Sequence, residues 1–233
     1  QRRFRAVEGR DELQNALDYP WDKWTIFLHP TQRDLVSRDF TGPARVAGSA
    51  GTGKTIVALH RAVYLARADE SARVLLTTFN ETLANALRQK LTRLIAHQPE
   101  LAERIDVGAI DRVAIDLYRK QVGSVTIADA HTAEAALLQV AASADIGEFS
   151  DRFLATEWHD VVDAWQLNDW LSYRDVRRLG RKTRLPENKR EALWRVFSDT
   201  RKALIDDGLK TMPMLYARLA DALLQRKHPV YDY

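Results

Sequence analysis

The chain has 233 residues, enough for one large α/β domain or for a core carrying one inserted subdomain. Hydrophobic residues make up 45% and charged residues 29%, the balance of a globular chain and not of a disordered one. The formal net charge is only +3, and the absence of cysteine excludes disulfides, thiolate metal sites and cysteine nucleophiles. No apolar run approaches the ~18 residues that a membrane span needs. The chain opens Gln1-Arg2-Arg3-Phe4-Arg5, with neither a starting Met nor the apolar stretch of a signal peptide. This opening suggests a sequence that begins inside a longer polypeptide, with no membrane partner and a cytoplasmic location.

Residues 11–17 are predicted to be helical with Asp11 as N-cap, and Trp21, Trp24, Ile26, Phe27 and Leu28 follow as expected core residues. Thr31 is the predicted cap of a second helix whose apolar members include Leu35 and Val36. Gly42-Pro43 marks a turn, and Ala44-Arg45-Val46-Ala47 reads as a short buried strand. After the glycine-rich turn Gly48–Gly53, the spacing of Val57, Leu59, Val63, Leu65 and Ala66 predicts a helix over 56–68. A strand is predicted over 73–79, then a helix through Leu83, Leu87, Leu91, Leu94 and Ile95. A third strand, 105–108, leads into a helix over 110–118. Such alternation predicts a parallel sheet with helices on both faces.

From about residue 125 the periodicity becomes helical, with Trp158, Trp165, Trp170 and Trp194 as expected core anchors and Gly180 and Pro186 as interruptions. An all-helical subdomain inserted into an α/β core is the simplest architecture. Between Arg174 and Arg190 the chain places eight Lys or Arg, among them Arg177, Arg178 and Arg181, against Asp175 and Glu187. This is the strongest basic patch in the sequence, equally readable as a solvated surface or as an anion-binding one.

The sharpest local signal is Gly48-Ser49-Ala50-Gly51-Thr52-Gly53-Lys54-Thr55, a full match to G-x-x-x-x-G-K-[ST]. Glycines let the backbone turn tightly and aim successive N–H groups at phosphate oxygens. The helix that follows adds its positive N-terminal end. Lys54 can then reach the β- and γ-phosphates and the Thr55 hydroxyl can ligate Mg²⁺. The expected cofactors are ATP and Mg²⁺, with Gly48 through Thr55 as the binding loop and Lys54 and Thr55 as its catalytic members.

Three further stretches make the chain resemble the UvrD/Rep-type superfamily 1 DNA helicases. Leu28-His29-Pro30-Thr31-Gln32-Arg33 resembles the family's Leu-x-Pro-x-Gln stretch upstream of the P-loop. There the glutamine, here Gln32, reads the adenine edge with an amide that both donates and accepts. Leu75-Leu76-Thr77-Thr78-Phe79-Asn80 resembles the motif in which a strand ends in Thr-Phe beside single-stranded DNA. That resemblance implies nucleic-acid contacts at Thr78, Phe79 and Asn80, while Arg88 and Lys90, further along the following helix, are readable either as neutralising DNA backbone or as facing water. Val107-Gly108-Ala109-Ile110-Asp111 occupies the place of a motif that usually reads Thr-x-His. Ala109 and Asp111 depart from it, and Asp111 is not taken as a contact. The basic segment with Arg177, Arg178 and Arg181 falls where the family carries a basic part of its inserted subdomain.

The resemblance implies a RecA-like P-loop core interrupted by a helical insertion. Its domains are an N-terminal segment (1–28), the first part of the core (29–128), the insertion (129–205) and a return to the core (206–233). It implies ATP-driven movement on single-stranded or partly duplex DNA, in the 3′ to 5′ direction, with a second RecA-like domain as partner. No strand ending in Asp-Glu follows the P-loop, so the chain is expected to stop short of the acidic strand and to be inactive alone. A P-loop kinase or small NTPase is the rival from another class, and a non-catalytic nucleotide-dependent nucleic-acid-binding module is a second. The six histidines show no metal spacing.

Overall fold

A computed structural model describes residues 26–144, 146–176 and 185–233. The helix expected at 11–17, together with Trp21, Trp24 and Gly180, lies outside the described residues. The chain divides into two units, one of residues up to Ile110 with Pro229–Tyr233, the other Asp111–His228.

The first unit is built on β1 (Val74–Thr78) and β2 (Ile105–Ala109), a parallel pair in register from Val74 opposite Ile105 to Thr78 opposite Ala109. A parallel pair needs a crossover, here a helix and a 3₁₀ turn at Pro99–Glu103. Before the sheet come a 3₁₀ turn (Pro30–Gln32), α1 (Arg33–Ser37) and α2 (Lys54–Ala68), and the crossover helix is α3 (Glu81–Leu94). Leu59, Ala62, Val63 and Ala66 recur at helical spacing on α2. They bury one stripe in a common core with Val74, Leu87, Leu91, Ile95, Leu101 and Ile105. Arg61, also on α2, donates to the carbonyls of Val36 and Arg38 at 2.7 Å each, occupying carbonyls at the end of α1 that have no intrahelical partner.

Three sequence expectations are corrected in this unit. Residues 44–47 form no strand and are exposed, Val46 at 41%. A strand requires a ladder partner, and β1 is already engaged on both sides. One side pairs with β2. On the other, Leu75 N–H donates to the Tyr233 carbonyl at 2.8 Å and Tyr233 N–H to the Arg73 carbonyl at 3.3 Å. The cap of the first turn is His29, not Thr31, because the imidazole Nδ1 accepts the Thr31 N–H at 3.2 Å. Phe27 is exposed, not core. At the foot of β1, Tyr231 donates to Asp106 at 2.9 Å, and Arg73 pairs with the same carboxylate at 2.9 Å. Burial, with that hydrogen bond to Asp106, pushes the Tyr231 phenol up to about 12.

The second unit is mainly helical. Its helices are α4 (from Ile110 in the first unit to Gln121), α5 (Ala130–Ala142), α6 (Asp151–Glu157), α7 (Trp170–Asp175), α8 (Glu187–Asp206) and α9 (Met212–Leu224). The unit also holds one short parallel ladder, β3 (Thr126–Ile127) with β4 (Leu209–Lys210), on either side of the segment 129–205. Leu137, Leu154, Trp158, Tyr173, Leu193, Phe197 and Leu204 form its core, and Tyr173 stacks on Trp194 with ring centroids 5.6 Å apart.

Trp158, Trp170 and Trp194 belong to that core or pack on it, but Trp165 is 72% exposed. The cause is local. A π-helical turn over Trp158–Asp163 adds a residue to the helical path, and Gln166 then takes a left-handed backbone at φ 49°. Its side-chain amide donates to the Asp163 carboxylate at 2.9 Å and holds the turn, leaving Trp165 outside. Asp163 is buried and also accepts the Thr211 hydroxyl at 2.8 Å, at the N-cap of α9. Burial raises its carboxyl above the ordinary carboxylate range against the pull of these hydrogen bonds and of Arg201 and His159. Among the described residues no helix is long and apolar enough to cross a membrane.

Candidate nucleotide and nucleic-acid site

The loop Gly48–Gly53 runs directly into α2, and Gly53 is the N-cap residue at φ +81°, a conformation costly for any residue with a Cβ. Gly48 is required for a different reason. A Cβ there would lie 2.8 Å from Thr52 Oγ1, which itself donates to the Ser49 carbonyl at 2.8 Å. Ile56 and Val57 N–H both bond the Gly53 carbonyl, and the N–H groups ahead of them have no intrahelical partner. The loop and helix start therefore present a set of donors to an anion.

Lys54 Nζ folds over this loop, donating to the carbonyls of Gly48 at 2.9 Å and Ser49 at 2.7 Å. Thr55 is exposed one position further on, with Ser49, Ala50 and Gly51 exposed around it. A cation, a hydroxyl and a row of backbone donors within eight residues fit a nucleotide polyphosphate with its Mg²⁺. Gln32 adjoins the same loop. Its Nε2 donates to the Thr52 carbonyl at 2.8 Å, while its Oε1 accepts the His29 N–H at 3.2 Å.

The exit of β1 shows what becomes of the second motif. Phe79 is 90% exposed, so its ring contributes almost nothing to the core. Asn80 is the N-cap of α3, its Oδ1 accepting the Leu83 N–H at 2.9 Å, which leaves the amide donors facing outward. Thr78 Oγ1 is screened from solvent and has no hydrogen-bond partner among the described residues. Arg88 acts as a brace within its unit. It donates to the Val107 carbonyl at 2.9 Å and to Asn85 at 2.6 Å, and it pairs with Glu81 at 3.3 Å. Glu81 in turn accepts the Ala109 N–H at 3.2 Å, tying the end of β2 to the first turn of α3. Neither the Arg88–Val107 nor the Glu81–Ala109 link is signalled by the sequence, since each joins α3 to β2.

A sequence-family model described as the UvrD/REP helicase N-terminal domain matches residues 28–218, most of the chain, and spans the P-loop and the Phe79 turn. The chain belongs to the UvrD/REP helicase family. Comparison with curated proteins finds no match.

One departure from the expected Thr-x-His pattern has a physical account. Asp111 accepts the Tyr216 hydroxyl at 2.5 Å. Burial raises the Tyr216 phenol far above its ordinary value, and the Asp111 bond adds to that rise. Arg177, Arg178 and Arg181 lie outside the described residues. No group of three or more His, Asp or Glu among the described residues could hold a metal ion.

Proposed function

We propose that this chain is the N-terminal portion of an ATP-dependent DNA helicase or translocase of the UvrD/REP type. Residues 29–128 and 206–233 would belong to its RecA-like core and residues 129–205 to the helical insertion. The observation that carries this reading is the coexistence, in one unit, of a complete phosphate loop and an aromatic ring held 90% exposed at the end of the neighbouring strand. A small-molecule kinase needs the first feature and has no use for the second.

In this reading Gly48 through Gly53 cradle the phosphates with backbone N–H groups, and Lys54 leaves the Gly48 and Ser49 carbonyls to neutralise the β- and γ-phosphates. Thr55 supplies a hydroxyl to Mg²⁺, and Gln32 faces the adenine. Bound Mg-ATP supplies the phosphoanhydride whose cleavage drives the motor. Phe79 stacks on a base of single-stranded DNA and Asn80 holds the adjoining backbone, while Thr78, its hydroxyl screened from solvent, ends the strand that presents them. Arg177, Arg178 and Arg181 add sequence-independent phosphate contacts. A second RecA-like domain closes against the nucleotide, movement runs 3′ to 5′, and the protein works in the cytoplasm.

The test is ATP turnover by the polypeptide joined to such a second domain, with and without single-stranded DNA. DNA-stimulated turnover that Lys54→Ala abolishes is expected. Turnover indifferent to DNA would favour a small-molecule NTPase.

A further inference from the structure

Gln32 has more to do in this structure than recognise a base. A side-chain amide carries two donors and two acceptor sites. Gln32 spends one donor on the Thr52 carbonyl and one acceptor site on the His29 N–H, which leaves one of each for a nucleobase edge. The two bonds together fix which end of the amide is nitrogen, since a flipped amide would set oxygen against oxygen at Thr52.

The Thr52 carbonyl belongs to the peptide that enters Gly53, the left-handed residue opening α2. A trans peptide is planar with its C=O and N–H pointing to opposite sides. Holding the Thr52 carbonyl toward Gln32 therefore aims the Gly53 N–H away from Gln32, within the run of donors that precedes Lys54. The approach is close enough to restrict Gly53 itself, because a Cβ there would sit 3.1 Å from Gln32 Nε2. His29 completes the arrangement. Its Nδ1 caps the turn that carries Gln32, and its own N–H fixes the far end of the amide.

We infer that Gln32 is a positioning residue for the phosphate loop, setting the Thr52–Gly53 peptide through its Nε2, in addition to any contact with the base. This rests on the proposed nucleotide site and assigns Gln32 a role in phosphate affinity that a base-reading residue does not have.

The test uses magnesium tripolyphosphate, which has phosphates and no base, in competition with a fluorescent ADP analogue on this chain. Wild type, Gln32→Met and Lys54→Ala are compared, with thermal melts to establish that Gln32→Met retains the fold. Methionine is of similar length and cannot donate to Thr52. The expected result is a weakening of tripolyphosphate by about threefold to tenfold in Gln32→Met, the size of one lost neutral hydrogen bond. ADP should weaken at least as much. Unchanged tripolyphosphate affinity in Gln32→Met, whether or not ADP weakens, overturns the inference and leaves the nucleotide site standing. Failure of the wild-type chain to bind either probe would instead remove the nucleotide site and the inference with it.

Discussion

Replacing Phe79 by alanine separates two roles that an aromatic residue at a strand end can have. A buried phenylalanine costs about 3–5 kcal/mol when truncated, because transfer energy is lost and a cavity remains. Phe79 is 90% exposed, so neither cost applies, and the expected change in folding stability stays within about 0.5 kcal/mol. If the ring instead stacks on a base, its removal weakens single-strand binding by about 1–3 kcal/mol, or roughly fivefold to 150-fold. The assay is fluorescence anisotropy of a labelled oligothymidylate at several salt concentrations, alongside thermal melts of both proteins. Stacking carries no counterion release, so the slope of affinity against salt should be the same for Phe79→Ala and wild type. Equal oligonucleotide affinity for the two proteins would refute the stacking assignment. A fall in melting temperature of the size expected for a core residue would refute the exposure on which it rests.

Charge removal at Arg177, Arg178 and Arg181 together should flatten the salt dependence of oligothymidylate binding in the same assay, by a slope change of about 0.7 for each phosphate that is no longer neutralised. An unchanged slope would mean that these arginines are a solvated surface. At Asp163, burial raises the carboxyl in the folded state, so the native protein holds a proton that the unfolded chain has released. Stability must then fall as pH rises from the ordinary carboxylate range through the raised value. Asp163→Asn should remove that dependence and gain on wild type over this window, as read from melting temperatures across pH. Parallel pH profiles for the two proteins would contradict the assigned direction.

How much of this was legible in the sequence depends on whether the deciding interaction was local. Val74–Thr78 is a short β-branched and aliphatic run, Ile105–Ala109 alternates Ile, Val and Ala with Asp and Gly, and α2 and α3 carry apolar residues at helical spacing, so both strands and both helices were readable. Residues 44–47 have a similar apolar pattern but no ladder partner, and pattern alone cannot supply one. Trp165 reads as core in the sequence because tryptophans usually are. Its exposure follows from the π-turn and the left-handed Gln166, neither of which an apolar spacing pattern registers. The P-loop was legible because its chemistry needs eight consecutive residues. The Gln32–Thr52 bond, spanning twenty positions, and the Arg88–Glu81–Ala109 brace were not, since geometry and not residue type makes them.

The central claim is that Gly48 through Thr55 form a nucleotide-phosphate site in a UvrD/REP helicase domain. Isothermal titration calorimetry of Mg-ATP into the wild-type chain and into Lys54→Ala tests it most directly. Lys54 contributes a charge-assisted hydrogen bond, worth about 1.5–3 kcal/mol, so the variant should bind about tenfold to 150-fold more weakly while melting at the same temperature. Equal affinity of the two proteins for Mg-ATP, or no binding by the wild type, would contradict the account.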